Sequence, residues 1–520
     1  MLNQIIAFLQ NKKKYILILF TAILIITLSI FLLVIFNRAS KEPLTSETGK
    51  DTTDQTTDQT LDTDLVNLLS NTVTLVNLSE LPKDITDYSS YKSYYVSTTG
   101  SDSNDGSIDK PFASIIHALE TANEGSVIFV REGTYKTNNI TISKSDTVIS
   151  AYQEEKVSLM REVVNDQWDM NEDLAFLIDG DIDNVIIDGF TLEDFEAGII
   201  YGDIQTQENI IFKNINIKNA NSGISNTYPT HTEYLVKNML IKNVTMTNIS
   251  GIGLQCGDEY NNCAKNVLIQ NVEIYGIEDS TNHTGYDSLA MVESENILVI
   301  DSTFTNAPGD GLDFKASNVA VVNTTVENPN RNGIKFWHEG EIINCIVYGT
   351  GADASIVFGS DTEGSNFRII NSIVAQHLID LPTRDRHAYA ITIGYDESYS
   401  YNIELVNNIF YDMPGPIYIN PESTIDVNNN MFYKFIHGDR FLVYGSDDLD
   451  NISSLNLKNY ATNNQYTDPQ FTDPISSNFS LQSTSPAIDS GMSENGIPYF
   501  DINWNERPGG SRLDIGSYEK

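Results

Sequence analysis

From Tyr94 onward, apolar and polar positions fall into one recurring pattern: a short strand opening with Asn and an apolar residue, a polar turn, then a second strand that starts at a small residue. The first strand recurs as NVIIDGFTL (184–192), NIIFKNINI (209–217), NMLIKNVTM (238–246), NVLIQNVEI (266–274), NILVIDSTF (296–304), NVAVVNTTV (318–326), NFRIINSIV (366–374) and NIELVNNIF (402–410). The second recurs behind Gly198, Gly223, Gly253, Ser288, Gly311, Gly333, Ser355 and Ala390. Self-similarity at about 20–35 residues marks stacked repeats. The strands are rich in Ile, Val, Asn and Thr with no helical period between them, which excludes a solenoid of helices. The predicted unit is a β-coil. One coil cannot bury its inward face alone, so coils stacked at about 4.8 Å share a continuous apolar column. Asn at equivalent turns suits left-handed backbone angles and side-chain hydrogen bonds between coils.

The ends of the chain read differently. In PFASIIHALETA (111–122), Ile115, Ile116, Leu119 and Ala122 are predicted to share one helical face, a lid over the first coil. Without a lid, the open strand edge invites aggregation. Tyr15 to Phe36 carries no charge and is long enough to cross a hydrocarbon core of about 30 Å as a helix. Lys12, Lys13 and Lys14 precede it, which puts residues 1–14 in the cytoplasm and exports the remainder. The apolar run exceeds the roughly 7–15 residues of a signal peptide and FNRAS is a poor cleavage site, so an uncleaved anchor is expected over a cleaved leader. Residues 37–90 read as a polar linker with TTDQTTDQT near its centre, although LVNLLSNTVTLVNL is apolar enough to dock on the domain after it. Residues 91–520 form the coil domain.

Composition narrows the function. A chain of 520 residues has ample length for a core, which excludes disorder throughout. Lys and Arg number 31 against 71 Asp and Glu, a formal charge of −40, which excludes nucleic-acid binding by the bulk of the chain. An anionic partner therefore needs a bound cation or a local basic cluster. Three cysteines make no disulfide scaffold. Cys256 and Cys263 stand close enough to pair across a loop in an exported domain, whereas Cys345 sits in an apolar run as a small hydrophobe. Length and repeat type predict a monomer.

Strand side chains alternate between faces, so aligning the second strands gives each residue a direction. The outward slot reads Ile200, Ser225, Gln255, Ala290, Asp313, Lys335, Val357, Thr392. Charge occupies it on two neighbouring coils, at Asp313 and Lys335. Asp287 and Asp310 fall at one turn position on successive coils, just ahead of the slot. Three carboxylates on one spot are costly without a cation, and hard oxygen donors suit Ca²⁺. Taken singly, the Asp of GDG is a turn residue and Lys335 a solvated lysine paired with Asp313.

YYVSTTGSDSNDGSIDKPFASIIHALETANEGSVIFVREGTY (94–135) resembles the opening of right-handed parallel β-helix proteins of the pectate-lyase-like superfamily, and residues 485–520 are similar to a closing segment common in its bacterial members. The resemblance spans about residues 94–520. It implies an all-β, right-handed parallel β-helix with an N-terminal capping helix, in a superfamily that includes lyases, hydrolases, epimerases and non-catalytic adhesins. GDGLD (309–313) and NGIKFW (332–337) resemble the motif of the family nine polysaccharide lyases, an Asp-rich loop that binds calcium and a lysine base on a following coil. That resemblance implies metal ligation by Asp310, Asp313 and Asp287 and a base role for Lys335, with β-elimination on an acidic, uronate-containing polysaccharide as the reaction. Arg331, Trp337 and Lys315 fall in the same neighbourhood as substrate-binding candidates. Arg331 suits a substrate carboxylate, and Trp337 has two uses open to it, stacking on a sugar ring or packing under a loop. One departure stands out: the family loop usually carries two adjacent acids, and Gly309 holds the first place. A glycoside hydrolase of the same fold is the weaker alternative, since GHG is absent and GDG stands where an acid pair is expected. A surface-tethered, non-catalytic carbohydrate-binding β-helix is the other.

Overall fold

A computed structural model describes residues 63–162, 173–202, 206–226, 236–257, 262–276, 286–351, 354–376, 389–394, 399–435, 440–493 and 496–520. The expected cytoplasmic segment 1–14 and membrane anchor 15–36 lie outside the described residues. Among the described residues, no helix is long and apolar enough to cross a membrane.

The predicted coils form. Strand follows strand around the coil, and strands pair in parallel with their counterparts one coil on, apart from the antiparallel hairpin of Leu442–Tyr444 with Asp447–Leu449, so that a single 35-stranded sheet winds through the described residues. The coil has three sides rather than the two strands per repeat that the sequence suggested. Each first strand turns a corner midway: Ile182–Asp188 gives way to Phe190–Glu193 across Gly189, and Gln207–Lys218 turns at Asn214, with φ of +90° and +55°. Gly and Asn tolerate the left-handed region, so apolar runs that read as one strand are bent into two. Connections between parallel strands of one sheet are right-handed in about 98% of cases.

Inward side chains interdigitate along the axis. Phe314, Phe336, Phe358 and Phe367 form a buried column with successive ring centroids 5.3, 5.6 and 4.6 Å apart. Asparagines form a second set of columns. Asn184, Asn209, Asn238, Asn266 and Asn296 all have φ between +56° and +60°. Each Nδ2 donates to the Oδ1 one coil before it, at 3.1, 3.0, 2.9 and 2.9 Å. An amide carries donor and acceptor together, so identical residues in register chain without a mismatch.

The lid is a short helix, Ile115–Thr121, whose N-cap Ser114 accepts from the His117 amide at 3.1 Å. It buries Ile115, Ala118, Leu119 and Ala122 at the i, i+3, i+4, i+7 spacing. Ile116, predicted on that face, is 40% exposed, because one residue of helix rotates a side chain by roughly 100°.

The C-terminal part of the segment expected as linker is instead a strap. After the helix Thr63–Leu69, the side chains of Leu69, Val73, Val76, Leu78 and Leu81 are buried in one cluster with Val148, Ile186, Ile211, Leu240, Leu268 and Leu298, an outward row of the coil. The C-terminal tail joins the same cluster through Ile497, Phe500 and Leu513. Beyond Ala320 this row changes from apolar to charged, in the register Ala320, Glu341, Arg368, Glu404. Arg368 reaches Glu341 at 2.7 Å and Glu404 at 2.6 Å. It also donates to the carbonyls of Thr72 in the strap (3.3 Å) and Gly496 in the tail (3.4 Å). Glu341, fully buried, accepts from the Thr74 amide at 3.0 Å. Both ends of the described chain thus meet at Arg368 and its buried partner Glu341. Cys256 and Cys263 are joined in a disulfide, and burial pushes the Cys345 thiol up to about 12.

Arg368→Ala leaves the Glu341 charge buried without its partner. Denaturant unfolding is expected to register a loss of about 3–5 kcal/mol, and replacing Glu341 and Arg368 together by Leu is expected to recover most of it.

Candidate active site

The outward slot read from the sequence is the register the chain adopts. Ile200, Ser225, Gln255, Ala290, Asp313, Lys335, Val357 and Thr392 pair in that order through successive coils. Leu312, Phe314, Ile334 and Phe336 are fully buried on either side of Asp313 and Lys335, which turns the two charged residues outward. The ladder continues from Thr392 to Tyr418.

The acids converge as predicted. One carboxylate oxygen from each of Asp287, Asp310 and Asp313 lies within 4.8 Å of the others. Asp287 Oδ1 accepts from the Asp310 amide at 2.7 Å, which ties the two turns together. Asp310, 1% exposed, accepts at Oδ1 from the amide and side chain of Asn332 at 3.0 and 2.9 Å. Lys335 Nζ lies 3.0 Å from Asp313 Oδ2 and 3.4 Å from Asp310 Oδ2. Arg331 is half-exposed at the rim, its Nε 4.0 Å from Asp310 Oδ1.

Burial and mutual repulsion strain this cluster electrostatically. The Asp287 carboxyl is pushed up to about 7, first by burial and then by the charges of Asp310 and Asp313. Burial also raises Asp313, against the opposing pull of Lys335. For Lys335, burial acts to lower the ammonium, but Asp313 and Asp310 outweigh it and the net shift is upward. Without a cation, then, Lys335 is held as an ammonium, counterion to the acids.

The donors fit a hard cation. All three are carboxylates, they outnumber the ammonium, and Asp313 Oδ1 is buried with no hydrogen-bond partner. A buried carboxylate oxygen left unmatched is costly unless a cation completes it.

Gly309 has a steric explanation. A Cβ built there falls 2.5 Å from Asp287 Oδ1 and 2.8 Å from the Tyr286 carbonyl oxygen. Asp287 fills the space that an acid at 309 would need, and brings a carboxylate from the preceding coil instead.

The remaining candidates surround the cluster. The Trp337 ring lies under Lys335, with Nζ 5.4 Å from the centroid, and packs on Gly359, where a Cβ would meet it at 2.9 Å. Lys315 lies two residues beyond Asp313 on its strand, partly buried, and its charge favours the ionised Asp313. His338 Nδ1 lies 3.6 Å from Asp361. Two residues were missed. Asn332 clamps Asp310 and accepts from the Ala354 amide at 3.1 Å, and exposed Tyr286 borders Gly309. Position one coil after Asp310 was the signal for Asn332.

Comparisons with known proteins agree with the fold. A family model described as "Protein of unknown function (DUF1565)" matches residues 98–141. The pectate lyase PEL9 of Emericella nidulans is 48% identical over 69 residues, 12% of this chain and 17% of that protein, so the chain spans under a fifth of this curated relative. Among solved structures, the xylose complex of XylC aligns over 82% of this chain and 98% of its own, at 12% identity and a TM-score of 0.55. The pectate lyase Pel9A aligns over 83% and 97%, at 16% identity and a TM-score of 0.46. The fold is a parallel β-helix.

Gly309→Ala is expected to displace Asp287 and to destabilise the protein by about 1–3 kcal/mol in chemical unfolding, the usual cost of overpacking a filled site.

Proposed function

We propose that this chain is a calcium-dependent polysaccharide lyase that cleaves a uronate-containing polymer by β-elimination, with Lys335 as the base. The supporting observation is that three carboxylates and one lysine converge on adjacent coils, with Asp313 Oδ1 buried and unmatched. Asp287, Asp310 and Asp313 would hold the ion. Bound there, calcium would draw charge from the substrate carboxylate and acidify the adjacent C5 proton. Lys335 Nζ takes that proton as a neutral amine, the C4–O bond to the leaving sugar breaks as the C4–C5 double bond forms, and the leaving oxygen takes a proton from water. In the cation-free site Asp313 and Asp310 hold Lys335 protonated, so it becomes a base only once those carboxylates are engaged elsewhere. Arg331 meets a substrate carboxylate from the rim, with Lys315 adding positive charge and Trp337 supporting Lys335.

The same proposal places the β-helix outside the cell as a monomer tethered by residues 15–36, and the Cys256–Cys263 disulfide accords with an oxidising compartment. One observation favours a second reading. Lys335 already pairs with Asp313 and Asp310, as in a purely structural cluster, and the protein would then bind polysaccharide without cleaving it.

The two readings part in an assay for the ultraviolet absorbance of unsaturated products, run on polygalacturonate, alginate and rhamnogalacturonan with millimolar calcium. Lys335→Ala is expected to lower the rate about 10²–10⁴-fold while polymer binding persists. No product from any of these polymers sinks the lyase reading. Independently of activity, calcium is expected to raise the unfolding free energy, by about 2.7 kcal/mol at a hundredfold excess over Kd, in the wild type and not in Asp313→Asn.

A further inference from the structure

The two rows that carry the acid cluster continue toward the C-terminal coils, and each reaches a tyrosine. One runs from Asp313 and Lys335 through Val357 and Thr392 to Tyr418. The other runs from Asp287 and Asp310 through Asn332 and Ala354 to Tyr389. Each tyrosine stands three coils beyond its charged residue, Lys335 or Asp310, a distance of about 14 Å at the strand spacing. The positions between are short and uncharged.

The two rings meet. Their centroids are 5.8 Å apart with planes at 51°, and Tyr389 is 42% exposed. Ile417 and Ile419 are fully buried on either side of Tyr418, which turns its ring outward beside Tyr389. A tyrosine pair on the outer face of a coil adds nothing to the core, which the inward Ile391, Ile393, Ile417 and Ile419 already fill. An aromatic face does suit the apolar C–H face of a pyranose ring.

We infer that Tyr389 and Tyr418 form a sugar-stacking subsite that holds the polysaccharide chain a short oligosaccharide's length from the reacting bond. The inference rests on the proposed lyase site, since it takes the substrate to lie along the coil axis over these rows. Its ligand class is a polymer of pyranose rings, recognised here through ring faces rather than charge. The pair positions substrate and takes no part in proton transfer. It acts on long substrates and leaves those too short to span three coils unaffected.

The test uses the full-length chain in detergent. Wild type, Lys335→Ala, the double variant Tyr389→Ala/Tyr418→Ala and its conservative counterpart Tyr389→Phe/Tyr418→Phe are run through gels containing polygalacturonate, alginate or rhamnogalacturonan. The expected result is equal retardation of wild type, Lys335→Ala and the Phe variant, and about tenfold weaker apparent affinity in the Ala variant, with matched unfolding midpoints. On polymer, KM should rise about tenfold in the Ala variant with kcat within about twofold, and neither should change on a trisaccharide. Retardation of the Ala variant equal to wild type overturns the inference, as does a wild type that no polymer retards. Loss of retardation in the Ala variant of a protein that makes no unsaturated product sustains the subsite and removes the lyase reading.

Discussion

The backbone ladder between successive coils is the constraint on which the rest of this protein depends. Parallel pairing sets one strand directly over its counterpart, and a slip of one residue would turn every side chain to the other face. With the register fixed, residues far apart in sequence become neighbours at about the strand spacing. The phenylalanine column, the asparagine ladder and the acid cluster are three uses of that single fact. In each, a residue type placed at one position of one coil finds its partner at the same position of the next.

Stacking of this kind makes like beside like the default, which suits phenyl rings and amides and penalises carboxylates. Asp287, Asp310 and Asp313 bear that penalty visibly in the upward shift of Asp287 and in the unmatched oxygen of Asp313. Asn332 and Lys335 relieve part of it on the following coil. Clusters held at such cost belong to function more often than to stability, because well-packed apolar residues would fill the same rows at no electrostatic cost. The strap and the tail cover another side of the coil, so both ends of the described chain are secured without crossing the rows that carry the acids.

Much of this was legible beforehand because a solenoid folds by local rules repeated. Asn and small residues at fixed offsets announced the coils, and the 22-residue step from Asp313 to Lys335 fixed their neighbourhood before any coordinate was known. Other features were hidden for identifiable reasons. The corner at Asn214 was invisible because asparagine can sit within a strand or turn one, and the φ of +55° is settled only when neighbouring coils stack. The run 65–78 announced itself as apolar enough to dock, but its docking place was hidden because the row it faces is built from many separate repeats. The sequence shows Gly309 where an acid is usual, and only the structure shows that Asp287 occupies that space from one coil away.

By itself, then, the sequence determined the repeat, the inward and outward direction of each strand residue, and the membership of the acid cluster with its lysine. These depend on periodicity alone, and periodicity is written along the chain. Tertiary structure alone decided how many sides a coil has, what covers its outer rows, which oxygen goes unmatched, and that Lys335 is held as an ammonium among the acids. Those depend on distances and burial between segments that no local pattern encodes.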